Sequence, residues 1–247
     1  MLSRFFIDFH IHTALSPCAD NQMTPKNIVQ AAVDRELDVI AITDHNSAEN
    51  AAAVLAAAED SALIVIPGME VQTREEVHLV CLFPDREHVE EWQRVIYEHL
   101  PTGKNRENFF GEQWVFAGDG SPKCKNDRLL LASTSASVED IAEMCDDMGG
   151  VCYPAHVDRP NYSIISNLGF IPPDIGFVAA ELSRHIRAEE AVEKFPYLKE
   201  FSLIGSSDAH FLEDITWARS EIHVKKPSFS EIKLALAGQE QRKVVTI

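Results

Sequence analysis

Several familiar features are missing from this sequence. No apolar run approaches the ~20 residues that a bilayer-spanning helix needs. The five cysteines (Cys18, Cys81, Cys124, Cys145 and Cys152) are odd in number, widely spaced and without a Cys-x-x-Cys pair, which favours reduced thiols over a disulfide framework. Met1-Leu2-Ser3-Arg4 leads straight into a strand-like run with no room for a secretory leader, so the expected location is cytoplasmic. Basic residues are scarce. The 22 Lys and Arg against 39 Asp and Glu give a net charge of −17, which argues against an extended nucleic-acid groove. A local phosphate site survives that objection, because divalent cations bound among carboxylates would offset part of their charge.

What is present suits a sizeable core. The chain has 247 residues, 45% of them hydrophobic, a length at which one α/β barrel commonly forms a single domain. Such a chain buries enough surface to need no disulfide or structural metal. A metal cluster in it therefore calls for a functional explanation.

Short apolar runs alternate with helical patterns. Strand-like runs cover Phe5–His10, Val39–Thr43, Leu63–Pro67, Val77–Phe83, Gly150–Pro154, Phe177–Glu181, Phe201–Gly205 and Ser220–Val224. Helical patterns cover Thr24–Arg35, Ser47–Glu59, Arg86–His99, Ser137–Met148, Ala188–Phe195 and Ser228–Ala237, with Asn46 or Ser47 as the cap of the second. Alternation of this kind predicts parallel strands joined by helical crossovers, in a barrel or a doubly wound sheet. The stretch 101–135 breaks the rhythm. It is rich in Gly, Asn, Lys and Asp and carries Phe109, Phe110, Trp114 and Phe116. It reads as either a functional lid or subdomain, or an excursion over the surface.

The polar residues cluster at strand edges. In Asp8-Phe9-His10-Ile11-His12, residues two apart share a face, so His10 and His12 can converge on one ion. Asp8 shares their parity but sits deeper, and Asp8 and Asp44 are expected to orient ligands rather than bind metal. Further segments repeat the arrangement: Thr43-Asp44-His45 and Gly68-Met69-Glu70 follow apolar strands, as do Ala155-His156 and Ser207-Asp208-Ala209-His210. Taken singly, each is more often a cap or a satisfied polar residue than a ligand. Jointly, six of the ten histidines fall at such edges, and coincidence explains that poorly. His78 stands apart because it opens its strand, so it would need a reversed strand or a loop-edge position to join the others. His88, His99, His185 and His223 lack this setting and read as surface or core residues.

These segments, together with His78 and Ala155-His156-Val157-Asp158-Arg159, resemble the motifs of the polymerase and histidinol phosphatase (PHP) family in order, from residue 5 to about 212. The resemblance implies a distorted (β/α)7 barrel, here a single domain over 1–247 with an insertion at about 101–135. It implies two to three divalent ions (zinc, manganese or iron). His10, His12, Glu70 and Asp208 would hold one, and Glu70, His78 and His156 a second. His45 and His210 would hold a third with one further donor. Many members place a histidine for that donor shortly after His-x-His. This chain has Asp20 there, the preferred donor, with Cys18 as a thiolate alternative that would bias the site toward zinc.

The implied activity is phosphoester hydrolysis by a water that the ions activate, with His10, His12, Glu70, Asp208 and His210 as its catalytic constellation. Arg159 is the leading phosphate contact and Arg184 a weaker one; Arg74 reads better as a surface salt bridge. The substrate expected is a small phosphorylated metabolite, a nucleotide, or a nucleotide end of RNA or DNA. A histidinol-phosphate phosphatase, an end-acting nuclease and a non-catalytic PHP binding module are the alternatives. The last is disfavoured because each expected ligand position carries a competent donor.

Overall fold

The computed structural model describes residues 1–216 and 219–247. Along the chain run β1 (Ser3–Ile11), α1 (Pro25–Asp34), β2 (Val39–Ile42), α2 (Ala51–Ala58), β3 (Ile64–Gln72), β4 (His78–Leu82) and α3 (Arg86–His99). Then come α4 (Glu107–Phe110), β5 (Trp114–Phe116), β6 (Pro122–Lys125), α5 (Val138–Asp147), β7 (Val151–Pro154) and α6 (Ile164–Leu168). The rest comprises β8 (Ala179–Leu182), α7 (Ala188–Lys194), β9 (Ser202–Gly205), β10 (Ser220–Val224), α8 (Phe229–Leu236) and β11 (Lys243–Thr246). Among the described residues, no helix is long and apolar enough to cross a membrane.

Local chemistry sets the helix limits. Thr24 accepts from Asn27 N and Pro25 takes the first turn of α1, where its missing N–H costs nothing. Asp85 caps α3 by accepting from His88 N, and Ser137 with Asp140 forms a capping box on α5. The second helix corrects its expected cap: α2 begins at Ala51, after Asn50. Asn46 is unavailable for capping, because its φ is 48° and its side chain bridges Gln72 N to the Leu130 and Ala132 carbonyls.

Seven strands form one curled sheet in the order β11-β10-β1-β2-β3-β4-β7. The β8–β9 pair helps close the curl: past β7, Val157 N donates to Glu181 O, and past β9, Ala209 exchanges backbone bonds with His10 and His12. Ile7, Phe9, Val39, Tyr153 and Ile204 share a core cluster that Ile232, Ala235 and Leu236 of α8 complete. A second cluster packs Val89, Trp92 and Ile96 of α3 against Val71, Leu79 and Phe83.

The barrel expectation holds, with one correction. The strands are not uniformly parallel: β1, β2 and β3 are, but β4 runs against both β3 and β7, and β10 against both β1 and β11. Only residues 73–77 join β3 to β4, too few for a crossover, so the chain must turn back as a hairpin. Strand β11 was not legible beforehand. In the insertion, the β5–β6 hairpin is tied down: Trp114 N donates to Ala14 O, and Asn50 bonds Trp114 O, Phe116 N and Thr13 Oγ1.

Candidate functional site

The strand topology brings the histidines together. His10 and His12 leave the end of β1, His45 follows β2, and Glu70 lies near the end of β3. His78 opens β4. Because β4 is antiparallel, its first residue pairs with Gln72 at the C-terminal end of β3, which resolves the anomaly in its position. His156 follows β7, and Asp208 and His210 follow β9. The two residues His156 (φ 30°) and Asp208 (φ 52°) adopt left-handed conformations that non-glycine residues rarely occupy, a strain common at functional sites.

Glu70 is the centre of the cluster, buried to 1% exposure. Its Oε1 receives His78 Nδ1 at 2.8 Å and His156 Nε2 at 3.1 Å, with His10 Nε2 at 3.4 Å. Its Oε2 has His45 Nδ1 at 2.9 Å and His12 Nε2 at 3.5 Å, although neither is aligned as a hydrogen bond. The two oxygens thus face different imidazole groups. Burial alone would raise this carboxyl, but His78, His10 and His45 outweigh it and hold Glu70 well below the usual carboxylate range. Donor atoms gather in three groups: His10, His12 and Asp208; His12, His45 and His210; and His45, Glu70 and His78.

The tautomers of the first two histidines follow from their outer partners. His10 Nδ1 lies 2.9 and 3.2 Å from the oxygens of buried Glu181, which can only accept, so Nδ1 carries the proton. His12 Nδ1 faces Ser16 Oγ at 2.9 Å; that hydroxyl donates to Asp44 Oδ1 at 2.7 Å and must therefore accept from the ring. Both Nε2 atoms are left to point inward, 3.1 Å apart, with Asp208 Oδ1 at 3.5 and 3.2 Å. Two bare lone pairs at that distance repel unless a cation or a proton lies between them. Burial lowers both rings. The carboxylates of Glu181, Glu70 and Asp208 outweigh it at His10 and raise that ring, whereas His210 and His45 push His12 lower still.

Asp44 and Asp8 occupy supporting positions. Asp44 also accepts from Thr13 N and Thr13 Oγ1, each at 2.7 Å, fixing the loop after β1. Asp8 accepts from His10 N and Ser207 N and so ties β1 to the Asp208 segment; burial pushes its carboxyl up to about 6. Sequence reasoning missed Glu181 and Ser16. The signal for Glu181 was a carboxylate ending an apolar strand, the same pattern that marked Glu70. Ser16 offered no comparable signal.

Asp20 is the donor that the structure does not bring in. Its Oδ1 accepts from Gln22 N at 2.8 Å in a turn, and its own N–H donates to His210 O. Cys18 lies beside the cluster. Although the residue is exposed overall, it lines the same cavity as His45 and His210. Desolvation would raise its thiol, but the two imidazoles outweigh it and bring it down to about 6.

Arg159 Nη1 stands 2.6 Å from Asp208 Oδ2, at the wall of two cavities of 280 and 320 Å3 beside the cluster. Arg184 lines the larger of these and pairs with Asp214. Arg74 is exposed and pairs with its neighbour Glu75. His88, His99 and His223 pair with Asp85, Ser135 and Glu221 outside the cluster. A cavity of 870 Å3 between α5 and α8 is larger, but its lining has no histidine or arginine and sets one cation, Lys233, already bonded to Gly150 O, against four carboxylates from α5 and one from Asp174, so it suits a phosphate poorly.

Comparison with known proteins adds the family. The PHP domain profile matches residues 8–169. The uncharacterized protein YqxK of Bacillus subtilis is 30% identical over 153 residues, 59% of this chain and 37% of that protein. The 5'-3' exoribonuclease Rnm of Salmonella typhimurium is 38% identical over 89 residues, 33% of this chain and 28% of that protein. These matches thus span about a third of those relatives. The lesion-specific endonuclease PfuEndoQ of Pyrococcus furiosus superimposes over 98% of this chain and 58% of its own, with a TM-score of 0.73 and 20% identity, which is a likeness of fold.

Proposed function

Since this chain belongs to the PHP domain family, we propose that it is a metal-dependent hydrolase of phosphoester bonds, acting on a phosphorylated metabolite, a nucleotide or an oligonucleotide end. The observation that carries the proposal is the pair of inward Nε2 atoms of His10 and His12, 3.1 Å apart and facing Glu70 and Asp208. Buried imidazoles and carboxylates in this arrangement form a mixed nitrogen and oxygen donor set of the kind that zinc, manganese and iron accept. His10, His12, Glu70 and Asp208 would hold one ion. Glu70, through its other contacts, would hold a second with His78 and His156. His45 and His210 would hold a third, with Cys18 in the place expected of Asp20.

When bound, such ions lower the pKa of a coordinated water and neutralise charge that develops on phosphoryl oxygens. The protein's own groups prepare that chemistry. Glu181 fixes His10 through Nδ1, and the Asp44–Ser16 pair fixes His12 likewise, so both rings present their inner nitrogens without reorganising. Arg159 holds Asp208 in place and, with its side chain 41% exposed, can also reach a phosphoryl oxygen in the cleft. Arg184 supplies a second guanidinium farther along the same cleft. The whole of 1–247 acts as one barrel unit, with 101–135 as an anchored excursion.

The test is phosphate or nucleotide release by the metal-loaded protein from a panel of phosphorylated metabolites and short oligonucleotides. Activity should vanish with a chelator, return with manganese or zinc, and be lost in His10→Ala. If carefully prepared protein carries no bound ion and no divalent cation produces activity, the proposal is wrong.

A further inference from the structure

The two cavities beside the cluster are halves of one cleft. They share Cys18, Arg159, Asp208 and His210 as a common wall. One lobe, of 280 Å3, extends toward Tyr162; the other, of 320 Å3, extends past Arg184 toward Phe211. Each volume sits near the lower end of the ~300–1,000 Å3 usual for small-molecule sites, so a substrate filling both must extend to either side of the shared wall. A mononucleotide would fill only one.

Each lobe also has an exposed aromatic ring, an unusual use of a large apolar side chain. Tyr162 and Phe211 are both 45% exposed. Tyr162 lies nearly parallel to the His78 ring, with centroids 4.8 Å apart, so one face is already stacked on the cluster. Its backbone is held at φ 57°, a strained value for a bulky residue, while its carbonyl accepts from His78 N at 3.0 Å. Backbone strain that keeps an aromatic ring exposed at a site is a feature for which function is the natural explanation. Phe211 directly follows His210 and so inherits its position from the cluster.

We infer that the substrate is a phosphodiester with a nucleoside on each side, its phosphate at Arg159 and the cluster and its two bases against Tyr162 and Phe211. The inference rests on the phosphoesterase reading of the cluster and narrows its substrate to a dinucleotide or an oligonucleotide end. Aromatic faces suit this because every base has a π-face and stacking tolerates any sequence. Arg159 and Arg184, although paired with Asp208 and Asp214, place two guanidinium groups in the cleft, where a short anionic chain can meet them on an otherwise acidic protein.

The test compares the metal-loaded full chain with its Tyr162→Ala, Phe211→Ala and Tyr162→Phe variants, using the dinucleotide ApA and ribose 5-phosphate as substrates. The unaltered protein should have the higher kcat/KM on ApA. Each alanine variant should raise the KM for ApA about tenfold, a typical loss for one base–aromatic stack, and affect ribose 5-phosphate much less. Tyr162→Phe should restore ApA, since a ring suffices. Equilibrium binding of a phosphorothioate ApA analogue reads the same contacts without turnover. If nothing is hydrolysed but the analogue binds with the same dependence on Tyr162 and Phe211, the phosphoesterase reading fails and the cleft assignment stands. If folded alanine variants bind the analogue as the parent does, or lose ribose 5-phosphate equally, the inference is overturned.

Discussion

Replacing Glu181 by Gln tests whether the outer carboxylate tunes the cluster. Glu181 is 1% exposed, and its oxygens lie 2.9 and 3.2 Å from His10 Nδ1. Its Oε1 also accepts from His156 N at 3.2 Å, so one carboxylate steadies residues of two proposed ion sites. Glutamine preserves the size and an acceptor oxygen but removes the charge that makes the His10 ring a stronger donor. Loss of such a partner typically weakens metal binding ~10–100-fold, or about 1.4–2.7 kcal/mol. Competition with a chromophoric chelator would measure this directly. Thermal unfolding gives a second reading. At a fixed excess of ion, the metal-induced stabilisation should fall by about the same free energy, roughly 3–10 °C in Tm for a chain of this size. The melting point of the metal-free variant separates this effect from any general damage. Parental metal affinity in a folded Glu181→Gln protein would refute the reasoning, because Glu181 would then be only a structural partner of His10.

Three further perturbations follow from particular contacts. Ser16→Ala should destabilise the metal-free protein by about 1–3 kcal/mol in urea unfolding, since it leaves His12 Nδ1 and His45 N without their buried acceptor. Gly150→Ala would place a Cβ 2.7 Å from Cys145 Sγ and 2.8 Å from Phe83 Cε1; the overpacking should cost about 1–3 kcal/mol, visible in the same assay. At the C-terminal end, the hydrogen bond from Arg242, with another from Lys225 N, holds Glu231 down to about 2. A carboxyl depressed below its unfolded value contributes stability that is present above about 4.5 and lost as pH falls toward 2. Glu231→Gln should therefore lower Tm at neutral pH and flatten its decline between those values; an unchanged pH profile would count against the pair.

The alternation of apolar runs with helical patterns was legible because strand and helix periodicities depend only on neighbouring residues. All eight expected strands are present, and α3 matches its expected limits of Arg86–His99. The cap of α2 was not legible. Asn46 has the right chemistry for a cap, but a left-handed backbone and bonds to Gln72, Leu130 and Ala132 commit it elsewhere. β11 was missed because Lys243–Thr246 is short and only half-buried, gaining its identity from pairing with β10.

The site divides in the same way. Sequence alone determined which strand ends carry donors, since His-x-His parity and polar residues closing apolar strands are local properties. Tertiary structure decided which of those donors meet. Strand direction is set by pairing, and the antiparallel turn of β4 placed His78 at the Glu70 end of its neighbour. The outer partner Glu181, 171 residues from His10, is reached only through the curl of the sheet, whereas Ser16 meets His12 across four residues of the loop after β1. The loop's path also separates Asp20 from Cys18. Residues two apart in a turn point in different directions, so the Asp20 carboxylate is spent on Gln22 N while Cys18 lines the cavity beside His45 and His210.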